Sequence, residues 1–354
     1  MRKYYTRACN FYYGANAKNL VKKKLALPLC GKKDIAFDNI EILSREKKTK
    51  FIHIRNIKQL PIQIKKTVLR DLKKIVFKRK NLYKNSNISE PLIMGVLNLT
   101  PDSFSDGGLY NKSKKAFGHI KNMISKGADI IDIGGESTRP GSKDITHKEE
   151  WKRLKKIIIN FKKKFPKTFL SIDTRKSETM LKAIKYKSDL INDVSGFNYD
   201  HNAIEKIKNY NVWKVLHHMQ GTPNTMQVNP IYKNVLLDIY DFFEKKINTS
   251  CKNFKYKKFI LDPGIGFGKN LKHNLIIMHN ISLYHSLGFP LLIGTSRKRF
   301  ISEISGQFDS KERIGGTLAS VLYTLQQGVQ IFRVHNVNEV KQAMLVYKKI
   351  ISIK

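Results

Sequence analysis

MGVLNLTPDSFSDGG (94–108) is an apolar run that breaks abruptly into a polar, glycine-ended loop. The run spans Leu92 to Leu97, and Asn98, Asp102 and Asp106 follow it before a Gly pair. A strand that opens into a polar tip presents reactive side chains on a rigid scaffold, so these three residues are candidate site groups. The same unit recurs down the chain. Apolar runs at 92–98, 129–135, 169–174, 190–195, 212–219, 259–263, 291–296 and 331–336 alternate with segments of helical period. Phe117, Ile120 and Ile124 share one helical face, and Val337, Val340, Met344, Tyr347 and Ile351 share another. Strands that are apolar on both faces, each followed by a helix, predict an α/β fold, a (β/α)8 TIM barrel; a doubly wound sheet is the alternative. The strand ends carry Asn98, Asp132, Asp173, Asn192, His218, Asp262, Lys298 and His335, which a barrel would bring to one mouth.

The 354 residues suffice for one large domain or two modest ones, and 41% apolar content is that of a globular chain. No apolar stretch approaches the roughly 20 residues that cross a bilayer, and none near Met1 resembles a signal core, so a soluble protein is expected. Cys9, Cys30 and Cys251 are too scattered for a disulfide framework or a zinc site and read as free thiols in a reducing cytoplasm. The net charge of +39 attracts polyanions. Its lysines lie in scattered clusters among Asn and Ile, without an aromatic-basic RNA signature, and a solvated lysine coat is favoured over a nucleic-acid footprint.

The chain divides into a basic N-terminal extension, or small α+β subdomain, at 1–90 and a barrel at 91–354. Residues 1–90 hold 24 of the 67 basic residues and 6 of the 28 acidic ones. Tyr4, Tyr5, Phe11, Tyr12 and Tyr13 predict a packed segment, although 33 residues without an acid also resemble a transit peptide. Strand-like runs at 35–43 and 51–57 precede a basic helical stretch at 62–80, and residues 81–90 read as a linker.

PGIGFGKN (263–270) has neither Walker nor dinucleotide-binding glycine spacing and reads as a tight turn presenting Asp262. Asp173, Asn192 and Asp262 on separate strands offer acceptors and donors suited to a flat nitrogen heterocycle, whereas any one alone would be an ordinary helix cap. Lys298 and Ser296 in TSRKRF (295–300), at a helix start, suit an anion. Arg333 and His335 alternate along the last strand and would both point inward, a costly arrangement unless an anion meets them. Asn98 could share that anion with a hydrated Mg²⁺. His217–His218 lacks a third ligand for a metal.

Eight segments in order resemble dihydropteroate synthase: MGVLNLTPDSFSDGG (94–108), GADIIDIGGESTRPGS (127–142), SIDTRKS (171–177), INDVSG (191–196), HMQGTP (218–223), LDPGIGFGK (261–269), GTSRKRF (294–300) and RVHN (333–336). The resemblance implies a transferase that joins (7,8-dihydropterin-6-yl)methyl diphosphate to 4-aminobenzoate, giving 7,8-dihydropteroate and pyrophosphate in folate biosynthesis. It implies pterin contacts from Asp173, Asn192, Asp262 and Lys298, with Met219 as an apolar wall. It further implies Asn98 as the Mg²⁺ ligand, Arg333 and His335 on the diphosphate, and closing loops with Phe104, Asp106, Thr138, Arg139 and Pro140. Asp106, Lys298, Arg333 and His335 would act in catalysis, and family members are commonly homodimers. Arg299 stands where some members carry a small hydroxyl residue. A methyltetrahydrofolate-binding methyltransferase barrel, or an RNA-binding role for residues 1–90, are the competing readings.

Overall fold

A computed structural model of the chain describes residues 3–82, 90–100, 109–137, 142–222 and 225–353. The N-terminal elements are β1 (Tyr5–Tyr13), α1 (Gly14–Lys22), β2 (Leu27–Pro28), β3 (Ile35–Leu43), β4 (Lys50–His53) and α2 (Ile62–Val76). β3 is the centre of an antiparallel sheet, pairing with β1, β2 and β4. Ala8, Leu29, Phe37 and Ile40 of this region pack with Val68, Leu72 and Ile75 of α2. The aromatic cluster at the start of the sequence is therefore a full strand and not merely a packed segment. The run at 51–57 is half strand: β4 stops at His53 and a 3₁₀ turn covers Ile54–Gln59. The helix expected to 80 ends at Val76. Residues 83–89 of the expected linker lie outside the described residues.

The rest of the chain is strand and helix in alternation. It runs β5 (Leu92–Asn98), α3 (Leu109–Ser125), β6 (Ile130–Gly134), α4 (His147–Lys164), β7 (Phe169–Asp173), α5 (Ser177–Lys185), β8 (Leu190–Asp193) and α6 (Ala203–Ile207). There follow β9 (Trp213–His217), α7 (Val235–Asn248), β10 (Phe259–Asp262), α8 (Leu271–His279), β11 (Leu292–Ile293), α9 (Arg299–Ser305), α10 (Ile314–Leu325), β12 (Ile331–Val334) and α11 (Val337–Ser352). All eight strands are parallel neighbours in the order β10-β9-β8-β7-β6-β5-β12-β11. A parallel bridge between Leu261 and Leu291 closes the ring, which decides for the barrel over the open sheet.

The closed sheet explains why the strands are largely apolar on both faces. Met94, Ile130, Phe169, Leu190, Trp213, Val215, Ile260, Leu292 and Ile331 fill the interior as one cluster. The intervening Ile93, Ile131, Leu170, Ile172, Ile191, Leu216, Leu261 and Phe332 meet the surrounding helices. Leu82 joins the interior cluster from outside the barrel, and its carbonyl accepts the Trp213 indole N–H at 2.9 Å. It forms the floor, at the N-terminal ends of the strands.

The N-terminal sheet is pinned to the barrel flank by polar contacts. The Tyr5 hydroxyl donates to Asp241 at 2.8 Å, and Arg45 reaches Asp238 and Asp241 at 2.7 and 2.8 Å. Ser282 Oγ donates to the Ala8 carbonyl at 3.0 Å, and Arg79 donates to the His285 carbonyl at 2.9 Å. No described helix is long and apolar enough to cross a membrane.

Candidate active site

Because side chains alternate along a strand, the last inward position of each strand lands at the mouth. Asp173 is in register with Asn192, Asp262 with His217, and Asn98 with Gly134. Gly134 matters here: a Cβ at that position would stand 3.4 Å from Asn98 Oδ1 and 3.5 Å from the Asp173 Cβ. The missing side chain leaves room for a ligand between the two. Above this layer is a cavity of about 550 Å³, whose wall includes Asn98, Asn192, Asp262, Lys298, Arg333 and His335.

Asp132 departs from the expected placement. It sits in mid-strand rather than at a strand end and is fully buried beneath the mouth. Its carboxylate accepts from Arg333 Nε at 2.7 Å, Ser171 Oγ at 2.5 Å and Asn192 Nδ2 at 3.2 Å. The other arm of Arg333 reaches Asp173 at 2.8 Å. The anion that makes an inward arginine tolerable is thus supplied first by the protein itself. His335 does point inward from the same strand, and Ser296, expected on an anion, instead meets its Nδ1 at 3.1 Å.

The turn after β10 is built as its glycines require. Gly264, Gly266 and Gly268 all have positive φ, and a Cβ on Gly264 would come within 2.0 Å of the His218 carbonyl oxygen. That close packing aims the Gly264 N–H at Asp262 Oδ1, 2.8 Å away. Lys298, the N-cap of α9, lays its Nζ 4.1 Å above the Phe267 ring, beside Gly266.

Burial shapes the charge of these groups. It pushes Asp262 up to about 6 against the pull of Lys298 and Arg333. It likewise pushes Asp173 up to about 7, with Arg333 opposing and Asp132 reinforcing the rise. Lys298 is pulled down to about 8 by burial and by Arg333. Acids and bases in one pocket, each shifted toward neutrality, mark a functional centre.

A family of proteins described as "Pterin binding enzyme" matches residues 94–335. Dihydropteroate synthase from Escherichia coli strain K12 is 38% identical over 270 residues, 76% of this chain and 94% of that one. The structure of Yersinia pestis dihydropteroate synthase with a sulfonamide drug complex superposes with a TM-score of 0.71 at 37% identity, covering 76% of this chain and 97% of that one. The Xanthomonas albilineans enzyme with 4-aminobenzoic acid gives 0.70 at 33% identity, over 75% and 95%. The chain belongs to the dihydropteroate synthase family. It is accordingly a transferase of folate biosynthesis.

Within this synthase several residues stand apart from the expected set. Met219 is half-buried just beyond β9 and is not on the cavity wall; Met226 and His217 are. β9 stops at His217, so Met219 lies past the strand end although it shares the parity of Trp213, Val215 and His217. Lys269 is a further site residue, which the glycine spacing of its turn does not signal. Its Nζ is buried and meets the Phe267 carbonyl at 2.8 Å, His218 Nδ1 at 3.0 Å and the His218 carbonyl at 3.3 Å. Burial pulls this amine down to about 7. Lys269 thus occupies His218 Nδ1, and no group of three His, Cys, Asp or Glu that could hold a metal occurs among the described residues. Arg299 lines the cavity rim and pairs with Glu303 at 2.8 Å. Asp102, Phe104, Asp106, Thr138, Arg139 and Pro140 lie outside the described residues.

Proposed function

We propose that the chain joins 4-aminobenzoate to (7,8-dihydropterin-6-yl)methyl diphosphate, forming 7,8-dihydropteroate and releasing pyrophosphate. The observation that carries this reading is one cavity with Asn192 and Asp262 beside Lys298, and Arg333, His335 and Asn98 on the same wall. The first group suits the amide edge of a pterin, and the second suits a diphosphate. In the reaction the methyl C–O bond breaks and its electron pair leaves with pyrophosphate. The amine lone pair then forms the new C–N bond, and the resulting N–H⁺ proton passes to solvent or product. The carboxylates of Asp173 and Asp262 stabilise the pterin-methyl cation, while Arg333 and His335 receive the departing charge. Neutral arylamine needs no strong base.

A Mg²⁺ ion fits the donor set. Asn98 Oδ1 is a neutral oxygen facing the space left by Gly134, and Mg²⁺ keeps most of its water and binds phosphate oxygens. When bound, the ion would offset charge on the leaving diphosphate. Asn98→Ala is expected to raise the Mg²⁺ concentration needed for half-maximal rate; an unchanged magnesium titration would remove Asn98 from that role.

The pH profile follows from the shifted groups. Asp262 and Asp173 ionise above about 6 and 7, and Lys298 stays protonated below about 8. The profile of kcat/KM is therefore expected to rise to a plateau between these limbs and fall on both sides. A flat response from pH 5 to pH 9 would refute the assignment of these ionisations to the free enzyme. The activity itself is tested by pyrophosphate release with and without 4-aminobenzoate. Release that ignores the amine would point instead to pterin binding without transfer.

We further propose a homodimeric assembly in the cytoplasm. The exposed Val346 and Ile350 of α11, next to Leu318 and Leu322 of α10, form an apolar strip that supports pairing. Residues 1–90 are proposed as an appended subdomain that braces the barrel.

A further inference from the structure

His217 is a buried polar residue of the cavity that the proposed chemistry leaves without a task. It ends β9 in register with Asp262, faces inward after Trp213 and Val215, and lines the cavity beside Val194 and Phe267. The residue is 3% exposed. Its ring is held in place: Phe267 meets it edge-on at 4.7 Å and 88°. A Cβ on Gly264 would lie 2.9 Å from its Cε1, so the turn presses closely on that side as well. Yet Nδ1 is buried and makes no hydrogen bond of good geometry, while a hydrogen bond with the Val194 backbone favours protonation of the ring. An orphaned buried polar atom is destabilising, a penalty that an aliphatic side chain of similar size would avoid.

We propose that His217 is a specificity-determining contact for the heterocycle, its imidazole hydrogen-bonding a ring or exocyclic group of the bicyclic substrate. The inference rests on the pterin reading of this cavity. Burial, Lys269, Lys298 and Arg333 all disfavour a ring proton, so the imidazole is neutral and offers one donor and one acceptor. Among carboxylates that only accept and cations that only donate, it is a group able to do both. Being uncharged, it also adds no repulsion toward a pterin-methyl cation. A heterocycle that cannot pair with it leaves the orphan in place and binds more weakly.

The test uses the full chain, His217→Met and His217→Gln, with 6-hydroxymethyl-7,8-dihydropterin as a non-reacting probe in calorimetry. His217→Met is expected to bind this probe about tenfold more weakly, while melting no lower than the unaltered chain because the orphan is gone. KM for the diphosphate should rise more than kcat falls, and His217→Gln should recover most of the affinity. In the unaltered chain, the ¹⁵N signals of the His217 ring should move when the probe is added, a readout that needs no variant to fold. Equal affinity in His217→Met, or ring signals that stay put in the bound chain, would overturn this inference alone. Failure of the unaltered chain to bind the probe would overturn the pterin reading and this one together.

Discussion

Lys298→Ala is expected to fold normally and to lose at least about a hundredfold in turnover. The ammonium lies in the cavity wall above Phe267, and it is one of three cations that offset the buried Asp262 carboxylate. Without it, Asp262 would hold its proton to still higher pH, and the pocket would lose a donor and an ionised acceptor at once. Folding should survive, because Lys298 caps a short helix through its backbone and makes no side-chain hydrogen bond at that cap. Pyrophosphate release and circular dichroism check the two halves. Activity within tenfold of the unaltered chain would show that Lys298 does not contact the pterin.

Asp132→Ala should damage both stability and turnover, and more severely than its position beneath the cavity suggests. One fully buried carboxylate holds Arg333, Asn192 and Ser171. Removing it leaves a part-buried guanidinium with Asp173 as its remaining carboxylate, a change worth up to about 3–5 kcal/mol by comparison with other broken buried pairs. Asp132→Asn keeps an acceptor for Arg333 and separates the two effects. It should restore much of the denaturation midpoint, measured in urea, while turnover remains low because Arg333 is then drawn toward Asp173. A near-normal rate in Asp132→Asn would mean that the charge of Asp132 is dispensable for positioning Arg333.

The barrel was legible because a two-sided strand must be apolar at every position, and eight such runs leave few alternatives. Site residues at strand ends were legible for the same reason: a polar Asp173, Asn192 or Asp262 interrupts an otherwise continuous apolar pattern. Two kinds of information were not in that pattern. The first is depth, since Asp132 and a mouth residue look alike until the register is known. The second is which of several adjacent side chains turns inward. Counting alternate residues forward from Trp213 selects Val215, His217 and Met219 alike, and only the strand boundary at His217 separates the last two. The N-terminal sheet was half hidden because Cys9, Asn10 and the tyrosines of β1 do not alternate cleanly, and its pairing with β3 is set by tertiary contacts.

The attachment of that sheet to the barrel has a temporal consequence. Tyr5 waits for Asp241, 236 residues later, and Ala8 waits for Ser282, 274 residues later. At about 5–20 residues per second, the first strand leaves the ribosome roughly 15–55 s before its final neighbours exist. Throughout that interval α2 can cover one face of the sheet, whereas Tyr5 lacks the barrel residues it packs against. During biosynthesis the sheet can therefore form early but can dock only late.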